Sequence, residues 1–221
     1  MAYSLKSLFL AALSVLLLLF GGCTLVGGAM QSYRQNSTRT IEPDYLGLAG
    51  KSFAVVVTTE RSIQAEHPSL IDYLTAQMTA RLSDPNSVPV AGGFVPAAQV
   101  LKYVYGNPGW TAKPWADVAK ELGGVERLVI LEVTEFRLND PGNQYLWEGL
   151  AAGTVSVIEA DSILADEVAY YKAVAVKFPD KQGFGPNEMS AATVRTELAR
   201  RLLDRASWLF YSHEEPYYPD Y

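Results

Sequence analysis

Apolar and polar positions alternate along this chain in blocks whose periods separate helices from strands. Phe53-Ala54-Val55-Val56-Val57-Thr58 is a short β-branched run behind Gly50, and it predicts a strand buried on both faces. Leu70, Leu74, Met78 and Leu82 then recur at every fourth position, with Ile71 beside them, and predict an amphipathic helix stopped by Asp84-Pro85. Val88-Pro89-Val90 reads as a second, edge-like strand, since Pro89 has no N–H for a ladder. Pro96 to Tyr105 reads as a short helix presenting Val100, Leu101 and Val104.

The next unit combines three signals. Trp115, Val118 and Leu122 share a helical face behind Pro114, Gly123-Gly124 supplies a left-handed cap, and Leu128 to Val133 follows as a nearly continuous apolar strand. Asn139 to Asn143 turns the chain into a return strand within Tyr145–Glu159, where Gly149 and Gly153 suggest a bulge or a close backbone approach. Val168 to Phe178 completes the meander, ended by Pro179. Val194, Leu198, Leu202 and Leu209 mark a long last helix. Arg195, Arg200, Arg201 and Arg205 fall at scattered azimuths on it and read as a solvated surface.

The order is β-α-β-α-β-β-β-α with a minor helix, an α/β architecture with a mixed sheet of about five strands and helices mainly on one face. It occupies residues 41–212 as a single domain, and Ile41, Tyr45, Leu46 and Leu48 are apolar enough to pack along it.

Two flanking segments differ in texture. Leu8 to Phe20 is an apolar run behind Lys6, ending in Gly21-Gly22-Cys23, and residues 1–22 read as a signal peptide. Residues 23–40 lack apolar periodicity and read as a tether. An alternative for Leu8 to Val26 is a retained transmembrane helix, for which it is long enough; the glycines at 21, 22, 27 and 28 disfavour helix there. At the other end, residues 213–221 form a tail rich in tyrosine, proline and acid, with Tyr217, Tyr218 and Tyr221 as candidate partner contacts. A disordered or surface-lying terminus is the competing expectation for it.

Charge narrows the partners. The 221 residues carry a net charge of −6 at pH 7, which disfavours nucleic acid and charge-driven adhesion to an anionic bilayer. Cys23 is the single cysteine, so no intramolecular disulfide exists. The two histidines, His67 and His213, stand in no metal-ligand spacing, and neither a nucleophile elbow nor a phosphate-binding loop is present. Asp117 and Glu121 share a helix face and read as solvent-facing. The expectation is therefore a non-catalytic domain with no cofactor and no metal.

Phe20-Gly21-Gly22-Cys23 resembles the lipobox of bacterial lipoprotein precursors, with Phe20 where Leu is usual. The resemblance implies acylation of Cys23, attachment to a membrane through that residue, and, with Thr24 rather than Asp next, the outer membrane facing the periplasm. Gly123 to Val133 and Trp147-Glu148-Gly149 resemble the amino-terminal domain of TolB, the related fold of curli-secretion lipoproteins and a group of uncharacterised bacterial lipoproteins. That likeness implies an envelope protein engaged in assembly or protein contacts, and it brings no catalytic residue. Two other expectations stay open: a small-ligand or lipid-binding module, and an enzyme of unrecognised type. An exposed edge strand near Val88 or Phe178 could also pair with a second copy, making a homo-oligomer.

Overall fold

A computed structural model describes residues 38–86 and 92–216. Its main unit is Glu42–His213. Five strands form one mixed sheet: β2 (Ser52–Thr59), β3 (Gly93–Phe94), β4 (Arg127–Arg137), β5 (Gly149–Glu159) and β6 (Val168–Phe178), in the spatial order β3-β2-β4-β5-β6. β2 runs parallel to β3 and β4, while β4, β5 and β6 form an antiparallel meander. The helices are α1 (Arg61–Glu66), α2 (Leu70–Ser83), α3 (Ala97–Gly106), α4 (Trp115–Glu121) and α5 (Ala191–Ser207), with a 3₁₀ turn at Trp110–Ala112.

The β-branched run of β2 is buried on both sides, as its composition predicts. Phe53, Val55 and Val57 join one apolar cluster, with Leu74, Met78 and Leu82 of α2 and Val194, Leu198 and Leu202 of α5. Ala54 and Val56 join a second cluster on the opposite face, with Val100 of α3, Trp110, and Val118 and Leu122 around α4. The two longest helices thus share one face, and a smaller layer covers part of the other. Chain handedness accounts for the placement of α2 opposite α3 and α4. The path from β2 to β3 and the path from β3 to β4 move in opposite directions across the sheet, so a common right-handed crossover places their helices on opposite faces.

Local signals hold in detail. Gly123 and Gly124 have φ of 94° and 72°, the left-handed cap expected after α4. The Ser190 hydroxyl accepts a hydrogen bond from the Thr193 amide and caps α5. Tyr45 and Leu48 are buried, so the segment before β2 packs on the domain. It is held by charge as well: the Tyr45 hydroxyl donates to Glu159 at 2.9 Å, and Lys51 bridges Glu126 and Asp161 at 2.8 and 2.7 Å. The buried Arg127 donates to the Gly47 carbonyl and pairs with Asp161.

Val88-Pro89-Val90 lies outside the described residues, and the described edge strand on that side is Gly93–Phe94. Two expectations change. Arg201 is buried, not solvated, because the face of α5 that it shares with Glu197 packs beside the end of β6, where Asp180 receives it. The carboxyl tail also begins as structure: His213–Pro216 (β7) pairs with Thr38–Ile41 (β1) in a two-stranded ribbon, so Thr38–Thr40 of the expected tether is extended strand. Within the ribbon Thr38 donates to Glu214 at 3.3 Å, and Arg39 lies 3.8 Å from Glu215. Among the described residues no helix is long and apolar enough to cross a membrane.

Candidate protein-docking surface

Among the described residues, the second face of the sheet is only half covered. The helices on that side pack over β2 and the near end of β4, burying Leu128, Ile130 and Ile158. Beyond them the ladder continues as cross-strand rows whose members all point to the same side: Glu132, Thr154 and Ala173; then Glu135, Ala152 and Ala175; then Arg137, Leu150 and Lys177. Glu132, Ala173, Ala175 and Lys177 are exposed, and Ala152 and Thr154 are half-buried. The middle of this surface is shallow, with the small side chains of Ala152, Thr154, Ala173 and Ala175 on β5 and β6, a backbone-near patch that a flat partner can approach closely.

Large apolar side chains gather at one end of it. Ile163 and Leu164 in the β5–β6 turn, with Val168 and Tyr171 at the start of β6, have half or more of their surface exposed, and Ile163 is fully exposed. Such a grouping marks contact sites more often than single exposed residues do. The turn carrying it is fixed: Asp166 accepts from the Ala116 amide at 2.9 Å, at the start of α4.

β6 also ends the sheet, and its outer side meets no other strand among the described residues. The other edge strand spans two residues, short enough to blunt pairing, whereas β6 spans 11 and contains no proline. Where β6 ends, Arg201 secures it. Its guanidinium donates to the Lys177 carbonyl at 2.9 Å, pairs with Asp180 at 2.7 Å, and lies 4.8 Å from the centre of the Phe178 ring. Arg201 holds the Asp180 carboxyl below its usual range, and Arg200 and Arg201 together bring Glu197 down to about 2. Beside this clamp, Phe178, Ala192, Thr193, Thr196 and Glu197 line an open hollow of about 450 Å³.

Other groupings with chemical character border this surface or lie elsewhere. Arg137 gathers Glu135 and Asp140, and the neighbouring Glu148 carboxyl, which donates a hydrogen bond to the Asp140 carboxylate, is pushed up. Asp117 is exposed, and Glu121 is taken up by Lys113 at 2.7 Å. His67 is buried against Phe136 with a ring separation of 4.8 Å, and its two ring nitrogens have no hydrogen-bond partner among the described residues. Among the described residues no group of three or more His, Cys, Asp and Glu side chains could hold a metal ion. Cys23, Tyr217, Tyr218 and Tyr221 lie outside the described residues. The sequence signal for the surface was present in β6: alternate positions 171, 173 and 175 are Tyr, Ala and Ala, without the charge of an ordinary solvent face.

No family model matches the chain, and no curated protein matches it. Among solved structures, the chain is similar to the PelC dodecamer from Paraburkholderia phytofirmans, at 14% identity over 79% of this chain and 99% of that one, with a TM-score of 0.42. It is similar to lipoprotein GNA1162 from Neisseria meningitidis at 13% identity, over 69% of this chain and 96% of that one, with a TM-score of 0.45. The LpoB C-terminal domain from Salmonella enterica is similar at 15% identity over 58% of this chain and 83% of that one, with a TM-score of 0.32. One of these three neighbours is a bacterial lipoprotein, and none of them is TolB.

Proposed function

We propose that this chain is a lipid-anchored protein of the bacterial envelope whose α/β domain acts by binding protein rather than by catalysis. The observation that carries the reading is the bare half of the sheet, with Ile163, Leu164, Val168 and Tyr171 exposed beside it. Exposed apolar groupings favour association, and this one stands at the end of a face whose Ala152, Ala173 and Ala175 let a partner approach the backbone. The anchor is acylated Cys23, and the membrane is the outer one, facing the periplasm; the lipobox-like Phe20-Gly21-Gly22-Cys23 and Thr24 support this. Confinement to a membrane surface raises the effective concentration of the domain toward other proteins of that surface, so modest contacts suffice.

Two measurements test the reading. Cys23→Ala abolishes labelling by palmitate and releases the domain from the membrane fraction if the anchor is acyl; unchanged labelling removes the lipid assignment. Crosslinking in native membranes, followed by partner identification, recovers protein adducts on this domain. Recovery of none with several crosslinkers overturns the binding function and favours a small ligand, for which the hollow beside Phe178 is the place to look.

A further inference from the structure

We propose that β6 pairs antiparallel with β6 of a second copy about a two-fold axis at Ala173, joining two sheets edge to edge. This rests on the protein-binding reading above and names its partner. The free stretch of the edge is bounded at both ends. At one end the β5–β6 register shifts between Val157 and Ile158, leaving Ala169 as the extra residue of a bulge. At the other, Arg201 occupies the Lys177 carbonyl. Between them lies Tyr170–Val176, and its centre is Ala173.

The backbone of that stretch presents the right groups. The Phe178 carbonyl oxygen lies 2.7 Å from where a Cβ on Gly149 would stand, so it points toward β5, while the Lys177 carbonyl faces the other way toward α5. Strand alternation then directs the N–H and C=O of Ala175, Ala173 and Tyr171 outward, away from β5. Among the described residues nothing accepts or donates to them.

The side chains are complementary in the register centred on Ala173. Tyr171 falls opposite Ala175 on the bare face, and Tyr170 opposite Val176 on the helix face, so large meets small in each pair. Lys172 falls opposite Val174, and it arrives already paired with Asp44 at 2.8 Å, so its diagonal approach to the second Lys172 brings together two ion pairs instead of two cations. A slip of the two-fold to residue 172 sets Lys172 against itself. A slip to residue 174 sets Tyr170 against Phe178 and pushes the ladder past the occupied Lys177 carbonyl. The chain is acidic overall, yet this stretch contains no acid, so the net charge does not oppose contact here.

The test uses the full chain in native membranes, where the parent protein, with Cys23 as its one cysteine, gives the background. Ala173→Cys and Ala175→Cys are oxidised separately, and Tyr171→Cys and Ala175→Cys chains carrying different tags are oxidised together. Paired residues in such a ladder have Cα atoms about 5.5 Å apart, within disulfide range, whereas two copies of residue 175 lie about four residues apart. Self-pairing therefore gives about tenfold more dimer for Ala173→Cys than for Ala175→Cys alone, and restores dimer in the mixture. Equal yields, or no dimer above the parent, overturn it. Hydrogen exchange of the unaltered protein gives a second measure: protection of 170–176 that rises with concentration supports pairing, and fast exchange at every concentration overturns it. If Ala173→Cys instead joins a different envelope protein, self-pairing is wrong and the protein-binding reading stands.

Discussion

Arg201 and Asp180 meet at 2.7 Å across the junction between α5 and the end of β6, with Arg201 buried and Asp180 about one-third exposed. The pair fixes the last turn of the edge strand to the longest helix. Arg201→Met leaves Asp180 and Glu197 without their shared cation and removes the bond to the Lys177 carbonyl. The expected loss is roughly 3 kcal/mol of stability, while Asp180→Asn, which keeps a hydrogen-bonding group, costs about half as much. Urea unfolding of both variants checks the order. Because the folded state holds both carboxyls low, their contribution is present at neutral pH and is lost as pH falls through the carboxylate range toward about 2 for Glu197.

Gly153 marks where β4 and β5 come too close for a side chain. A Cβ there would collide with the Glu132 carbonyl oxygen, next to the register shift between Val133 and Glu135. Gly153→Ala must displace backbone, and a cost of about 2–4 kcal/mol is expected. Gly142→Ala meets no atom within 4 Å and strains only its positive φ of 86°, for a cost of about 1 kcal/mol. Denaturation midpoints for the two variants separate crowding from backbone conformation.

His67 gives the fold a sensitivity in mild acid. Burial lowers its pKa from the ordinary 6.5, and Arg195 adds to this; Glu66 and the nearby Phe136 backbone oppose the shift without reversing it. The unfolded chain then binds a proton near pH 6.5 that the folded chain still refuses. Stability is full above that pH and declines as pH falls toward the lowered value. His67→Phe, which keeps the packing against Phe136, flattens the pH dependence of the unfolding midpoint below the ordinary histidine value of 6.5. An unchanged slope would show that His67 titrates normally.

How legible these features were in the sequence follows from their range. Val168–Phe178 appears with the limits its composition suggests, and the β2 and α2 patterns hold, because each depends on neighbours a few residues away. β7 did not read as a strand, since Glu214-Glu215-Pro216 has poor β-propensity and its pairing comes from residues near Thr38, far back in the chain. Arg201 read as solvated because azimuth on a helix says nothing of what lies beside it, and Asp180 is supplied by a different element. The bare face was visible as small residues in β6, yet its extent needed the register of three strands. Cys23 and the tail tyrosines remain sequence assignments, lying outside the described residues.

The central claim is that the bare face around Tyr171 is where this domain meets protein. A photoreactive amino acid placed at Tyr171, compared with one at the exposed Lys120 on α4, tests it most directly in intact membranes. The account predicts discrete protein adducts, from a second copy or another envelope protein, at Tyr171 and little at Lys120. Equal, diffuse labelling at both sites, or adducts confined to Lys120, would contradict it.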